Sequence, residues 1–419
     1  MNYCTRCLYP ANHPLYLTFD EAGVCSGCRV HEEKDRLDWA ERLQVLRRIA
    51  DEYRARSRSI HDCIVPVSGA RDSHFIVHVV KHVLGLHPLI VTYNKHYNTQ
   101  VGIRNLAYLR SLLGCDFLSM TVSPDRVKRI TRETLRLRGS MYWHCLAGQT
   151  VFPVQIAVKF KIPLIIWGAH QGIDQVGMFS HLDEVEMTRK YRKEHDLMGL
   201  EAQDLVQQSD LTDADVAQYL YPHDKELEAV GVRGVYLNNY VRWDTKAQHE
   251  QMIAAYGYET APQQRTFDTY NDVDCFHYSG LHDHIKFLKY GYGKATDHAC
   301  REVRLRRLTR EAGAALASRY TAVEPQDIGM FLDWIGMTES EVRAAVDAHR
   351  DPTAWARDEQ GAWVLRDSVE RHLADPQAAD VRLGVIDTCD FNDRSRRTAE
   401  PELDRYTLIG RGWVDGAVA

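Results

Sequence analysis

No run of the sequence approaches the ~20 consecutive apolar residues that cross a bilayer, so no membrane span or membrane partner is expected. The start, Met1-Asn2-Tyr3-Cys4, has neither the basic nor the apolar segment of a secretory leader, and the expected location is the cytoplasm. A basic excess is also missing. The formal net charge of -6 argues against a surface built to hold nucleic acid, and no nucleic-acid partner is expected. Cationic residues do gather at Arg126, Lys128, Arg129, Arg132, Arg136 and Arg138, and again at Arg301, Arg304, Arg306, Arg307 and Arg310. Both runs read as solvated helix faces. A reducing cytosol disfavours disulfides, so the ten cysteines read first as metal ligands, nucleophiles or buried residues.

Among the residues present, Cys4 and Cys7 form one C-x-x-C pair, and Cys25 and Cys28 form a second. Two such knuckles facing each other complete a tetrahedral thiolate site, which points to one structural Zn2+ in a ribbon spanning residues 1–30. An iron-sulfur cluster is the alternative, since cysteines alone do not choose the metal. Apolar residues at Leu37, Ala40, Leu43, Leu46 and Ile49 predict a connecting helix within 31–60 that packs the ribbon against the main body.

The next segment runs from the apolar residues 63–67 through Ser68-Gly69-Ala70-Arg71-Asp72-Ser73 into an apolar-periodic stretch, 74–84. A strand, a small-residue turn and a helix start in succession present free N–H groups and a positive dipole end to phosphate oxygens. The Ser68 and Ser73 hydroxyls can add donors, and Asp72 can cap the helix or hold Mg2+. Further strands are predicted at 88–93, 117–122 and 163–167, separated by helical segments such as 101–113 and 151–161. The fold class is therefore α/β, a parallel sheet with helices on both faces over residues 61–200. Ligands of such sheets bind beyond the strand carboxyl ends, here the 68–73 loop, Tyr93 and Asn94, and Gly168 to His170. The loop has no Walker lysine and is not G-x-G-x-x-G, which disfavours both a P-loop NTPase and a nicotinamide-binding domain.

The strand followed by Ser68-Gly69-Ala70-Arg71-Asp72-Ser73 resembles the PP-loop of the ATP pyrophosphatases, which include GMP synthetase, asparagine synthetase and tRNA thiolation enzymes. The resemblance implies ATP and Mg2+ as cofactors and activation of a substrate oxygen as an adenylate. Ala70 stands where a second glycine is usual, and a positive φ there would strain it. Cys4-Thr5-Arg6-Cys7, the run from Phe19 to Cys25, Trp143-His144-Cys145, His195 to Gly199, and Gly280-Leu281-His282-Asp283-His284 with Lys286, Lys289, Gly291, Gly293, Asp297 and His298 resemble the N-acetyl sugar amidotransferases over about residues 4–372. That resemblance implies an ATP-dependent exchange of an acetamido oxygen on a sugar or sugar nucleotide for ammonia nitrogen, in polysaccharide biosynthesis. The ammonia would come from a separate glutaminase subunit, because no segment reads as a glutaminase domain.

The candidate catalytic residues are Asp72, Ser73, Cys145, His282 and Lys286. Residues 68–73 with Tyr93, Asn94 and Gly168 are the ATP candidates. His144, His170, Asp174, His284, Lys289, Asp297 and His298 are substrate candidates, with Glu184 a further one for Mg2+ or sugar hydroxyls. The histidines read equally as satisfied structural residues, and Cys145 as a small buried hydrophobe. A competing reading is sulfur transfer, with persulfide on Cys145 or a cluster on Cys145, Cys275 and Cys300. A non-catalytic nucleotide-binding protein is a third. Residues 201–375 are expected to form a helical substrate region, with 327–348 as two helices broken near Gly336 and a Thr338/Glu341 capping box. Residues 376–419 read as a variable tail.

Overall fold

The computed structural model describes residues 1–375, so the expected tail lies outside the described residues. Five parallel strands form the central sheet: β1 (Cys63–Pro66), β2 (Pro88–Tyr93), β3 (Asp116–Met120), β4 (Leu164–Trp167) and β5 (Arg233–Tyr236), in the order β3-β2-β1-β4-β5. The order reverses direction between β1 and β4. There the crossover helices leave to opposite sides, opening a crevice beyond the strand ends.

Side chains alternate along the strands and both faces are covered. Cys63 and Val65 of β1, Ile90 of β2 and Leu164 and Ile166 of β4 join a core with Leu46, Ile49, Val77 and Val80. Ile64, Leu89, Val91 and Ile165 face the other way onto Val151, Val154 and Ala157 of the helix Trp143–Phe160. Strands that bury both faces read as continuous apolar runs, which is how they stand in the sequence.

Several expectations shift. The fifth strand lies beyond residue 200, so the sheet crosses the expected domain boundary. The segment 31–60 is not one helix: Ser26–Glu33 ends, and Trp39–Arg56 begins anew with Asp38 accepting from the Ala40 and Glu41 N–H groups. Leu37 falls in the gap and Ala40 is exposed. The second helix packs Leu46, Ile49, Ala50 and Tyr53 on the sheet core. The ribbon is held elsewhere, its Leu8, Tyr9 and Val24 clustering with Ala299, Val303, Ala314 and Ala317 of the helices Lys294–Arg304 and Arg310–Thr321. The 301–310 cationic run is not a solvated face. Arg304 and Arg310 are buried, and Arg301 and Arg307 pair with Asp268, Glu302 and Asp244. The helices Ile328–Ile335 and Glu339–Asp347 are broken at a left-handed Gly336, and the Thr338/Glu341 capping box forms. No helix among the described residues is long and apolar enough to cross a membrane.

Candidate functional site

Beyond the ends of β1 and β4 lies a cavity of ≈ 460 Å³, lined by Ser68 and Arg71 to Ser73 of the loop and by Gly168 after β4. Within the loop the left-handed backbone falls on Gly69 (φ 86) and Arg71 (φ 48), and Ala70 is not in that region. The strain feared at Ala70 is therefore absent. A Cβ at Gly69 would lie 2.4 Å from the Gly102 carbonyl oxygen, so this position needs glycine for space as well as for φ.

The two serine hydroxyls brace the loop itself. Ser73 Oγ donates to the Ala70 carbonyl at 2.8 Å and accepts the Ser68 N–H at 3.1 Å, while Ser68 Oγ accepts the Ala70 N–H at 3.3 Å. Asp72 opens the helix Ser73–His78 without a side-chain capping bond, and its Oδ1 is buried with no partner. Burial, helped by nearby Asp174 and opposed by Arg71, pushes its carboxyl up to about 7. A carboxylate so placed is short of a cation. Asp174 also lines the cavity and is paired by Lys34 Nζ at 2.5 Å. An orphaned oxygen beside a second carboxylate fits a hard divalent ion such as Mg2+.

Ionic groups cover another part of the lining. Asp272 accepts from Lys294 Nζ at 2.8 Å and sits 3.2 Å from Arg71 Nε; Lys286 pairs with Asp297 at 2.5 Å. Lys95 pairs with Asp274. Burial raises Asp272, yet Lys294 and Arg71 outweigh it and hold the carboxyl well below its usual range. His282 packs in a three-ring cluster with Tyr142 (4.7 Å) and Tyr278 (5.0 Å), which are 4.8 Å from each other, and burial together with Lys294, Lys286 and Lys289 lowers it to about 3. It is a neutral imidazole with an unpartnered Nδ1.

Of the sequence candidates, Ser68, Arg71, Asp72, Ser73, Tyr93, Gly168, Asp174, His282, Lys286, Asp297 and His298 line this cavity. The rest do not. His284 stacks near Phe287, and Lys289 donates to the Arg138 carbonyl. On the helix Leu281–Tyr290, residues 282 and 286 share one face, which 284 cannot join. His170 accepts the Gly172 N–H and packs on Tyr191, and Glu184 is exposed. Asn94 is engaged with Thr121, His96 and Asn98. His144 is bracketed by the hydroxyls of Tyr93 and Tyr97 at 3.1 Å each.

Tyr142, Leu146, Gln149 and Pro153, a single helical face, line the cavity, and Cys145 points off it into a core with Tyr97, Cys275 and Leu281. Burial raises its thiol well above the ordinary value, which disfavours the thiolate a sulfur carrier needs. Cys300 belongs to the ribbon core, so Cys145, Cys275 and Cys300 are not brought together as the cluster reading required.

Sequence reasoning missed Lys95, Asp272, Tyr278, Lys294 and Arg301. Lys95 directly follows β2 and its neighbour Asn94, and the strand-end rule should have reached it. Arg301 stands in the cationic run that reads as a solvated face, and Asp272, Tyr278 and Lys294 follow no strand of the sheet and carry no local signal.

At the ribbon, four buried thiols lie within 4.8 Å of one another, with Cys7 and Cys25 sulfurs 3.7 Å apart and those of Cys4 and Cys28 4.0 Å apart. A tetrahedral Zn2+ with bonds of about 2.3 Å requires sulfurs about 3.8 Å apart, so the donor set fits. Backbone N–H groups of Arg6, Cys7 and Cys25 point at Cys4 Sγ at 3.3–3.4 Å, and the Arg304 guanidinium approaches Cys25 Sγ at 3.5 Å. These donors offset the negative charge of four thiolates. Arg304 also lines the cavity, as do Tyr9 and His13 of the ribbon.

Residues 264–369 match the family model described as "LPS biosynthesis protein WbpG-like, C-terminal domain". This segment supplies Asp272, Tyr278, His282, Lys286, Lys294 and Asp297 to the cavity. Comparison with curated proteins gives no match. Among solved structures, NMN synthetase from Francisella tularensis aligns over 47% of this chain and 82% of that chain at 14% identity, with a TM-score of 0.26, too loose a likeness to carry an argument.

Proposed function

We propose that the chain is an ATP-dependent amidotransferase that converts the amide of an N-acetylated sugar or sugar nucleotide into an amidine, with AMP and pyrophosphate as the other products. The observation that carries this reading is the buried, unpartnered Asp72 oxygen at a helix start in the sheet crevice, opening into the same cavity as His282 and the Lys286–Asp297 pair. The similarity of residues 264–369 to a lipopolysaccharide-biosynthesis domain supports a sugar as the second substrate.

In this reading the 68–73 loop, through the backbone N–H groups of Arg71 and Asp72 at the helix start, and the cationic groups Arg71 and Lys294 bind the ATP phosphates. Asp72 and Asp174 are the residues that would hold Mg2+, which when bound would supply charge neutralisation at the phosphates. The amide oxygen attacks the α-phosphorus and the bond to the bridging oxygen of pyrophosphate breaks. Ammonia then adds to the activated carbon, loses a proton and expels AMP. Amides are poor electrophiles, and esterifying the oxygen to phosphate creates the leaving group. His282 accepts the proton: phosphates that pair Lys294 offset the nearest of the charges that, with burial, depress its basicity. The ammonia comes from a separate glutaminase subunit. One wall, the buried Tyr142 and Pro153 with the half-buried Leu146 and Gln149, limits the water that would compete for the adenylate.

The test is ATP labelled at the α- and γ-phosphates, incubated with Mg2+, ammonium and UDP-N-acetylglucosamine as the probe. The expected products are AMP and pyrophosphate, with turnover reduced by on the order of 100-fold in Asp72→Asn. Release of ADP and phosphate refutes the reading.

A further inference from the structure

The ribbon contributes more than a metal site. His13 is 4% exposed, lines the cavity, and packs against the rings of Tyr9 at 4.8 Å and Tyr292 at 5.8 Å. Its Nδ1 accepts the Leu15 backbone N–H at 3.1 Å. A neutral imidazole that accepts at Nδ1 carries its proton on Nε2, and that nitrogen is buried with no partner. Burial, with Lys286 and Arg304 nearby and Asp297 opposing, lowers His13 to about 3, so the ring stays neutral. A buried N–H without an acceptor costs about 1–3 kcal/mol, and a ligand oxygen would relieve it.

The surroundings indicate which oxygen. Lys286 is already paired by Asp297 at 2.5 Å and lies 4.4 Å from the centre of the Tyr292 ring. A closed ion pair offers both donors and acceptors without a free charge, which suits hydroxyl and carbonyl oxygens better than a phosphate. Tyr9, which lines the cavity beside His13, adds aromatic surface of the kind that packs on the apolar face of a pyranose ring.

We infer that His13 is a substrate contact supplied by the ribbon, its Nε2–H donating to a hydroxyl or carbonyl oxygen of the sugar beside Lys286. The inference rests on the reading that the second substrate is an N-acetylated sugar. The ribbon is then one wall of the acceptor site, and the metal holds a binding residue in place.

Calorimetric titration of the zinc-loaded protein separates the possibilities, with UDP-N-acetylglucosamine and Mg-ATP as separate probes. His13→Phe keeps the ring and removes the donor, whereas His13→Gln keeps an N–H. The expected result is about tenfold weaker sugar-nucleotide binding in His13→Phe, a smaller loss in His13→Gln, and unchanged ATP affinity and zinc content in both. Wild-type affinity in His13→Phe overturns the inference alone. Loss of both ligands together with zinc also overturns it, by making His13 part of the ribbon's scaffold. A wild-type protein that binds Mg-ATP but not the sugar nucleotide overturns both the inference and the sugar reading.

Discussion

Asp272 is the charged hinge of the cavity, and Asp272→Asn measures what it holds. The Lys294 side chain is 9% exposed and that of Asp272 7%, at 2.8 Å, so the substitution strands a buried ammonium. Breaking such a pair from one side costs about 3–5 kcal/mol. Lys294 Nζ lies 3.2 Å from the centre of the Tyr278 ring, and that contact retains about 1–2 kcal/mol. Arg71, 50% exposed, adds at most about 1 kcal/mol because water screens it. The expected loss is about 3 kcal/mol. Unfolding about 375 ordered residues carries an entropy near 0.8 kcal/mol/K, so Tm should fall by about 4 °C.

The pH dependence follows from the direction of the shift. Asp272 is held below its unfolded value, so its contribution is fully present above about pH 4, the unfolded carboxylate range, and is lost as pH falls through the lower folded value. Scanning calorimetry of both proteins at pH 7 and pH 3 should therefore show a gap that narrows in acid. An unchanged or higher Tm for Asp272→Asn at pH 7 refutes the reasoning, and a gap that widens in acid refutes the sign.

Metal analysis of protein purified without chelators should find about one zinc per chain. A chelator that removes it should lower Tm and weaken sugar-nucleotide binding more than ATP binding, because Tyr9 and His13 line the cavity; finding neither zinc nor iron contradicts the four-thiolate site. Cys145→Ser should keep most of the turnover with ammonium, since the thiol is buried off the cavity-lining face; a block after adenylation, seen as AMP formation without product, would restore the sulfur-carrier reading.

Much of the sheet was legible because its three central strands are buried on both sides. β1, β2 and β4 stand as apolar runs, and residues 88–93 match β2 end to end, whereas the edge strand β3 is part-exposed and ends at Met120, short of the expected 122. The fifth, Arg233–Tyr236, is four residues long with a glycine inside and leaves no comparable signal. The helix Trp143–Phe160 starts eight residues earlier than its periodicity suggested, since Pro153 sits inside it and disguises the first turns. The ribbon cysteines were legible from spacing alone, but where the ribbon docks was not. Its partners, Ala299, Val303, Ala314 and Ala317, are small apolar residues nearly 300 positions away. The same limit explains the site. Residues on the loop after β1 follow a local rule, whereas Asp272, Lys294 and His13 are brought to the cavity by tertiary packing.

The most direct test of the central claim is the mass of the product formed from ATP, Mg2+, ammonium and an N-acetylated sugar nucleotide. Replacement of oxygen by NH predicts a change of about -1 Da, with one AMP and one pyrophosphate per product. A gain of about 16 Da with a sulfur donor, or ADP and phosphate with no change in the sugar, contradicts amidine formation.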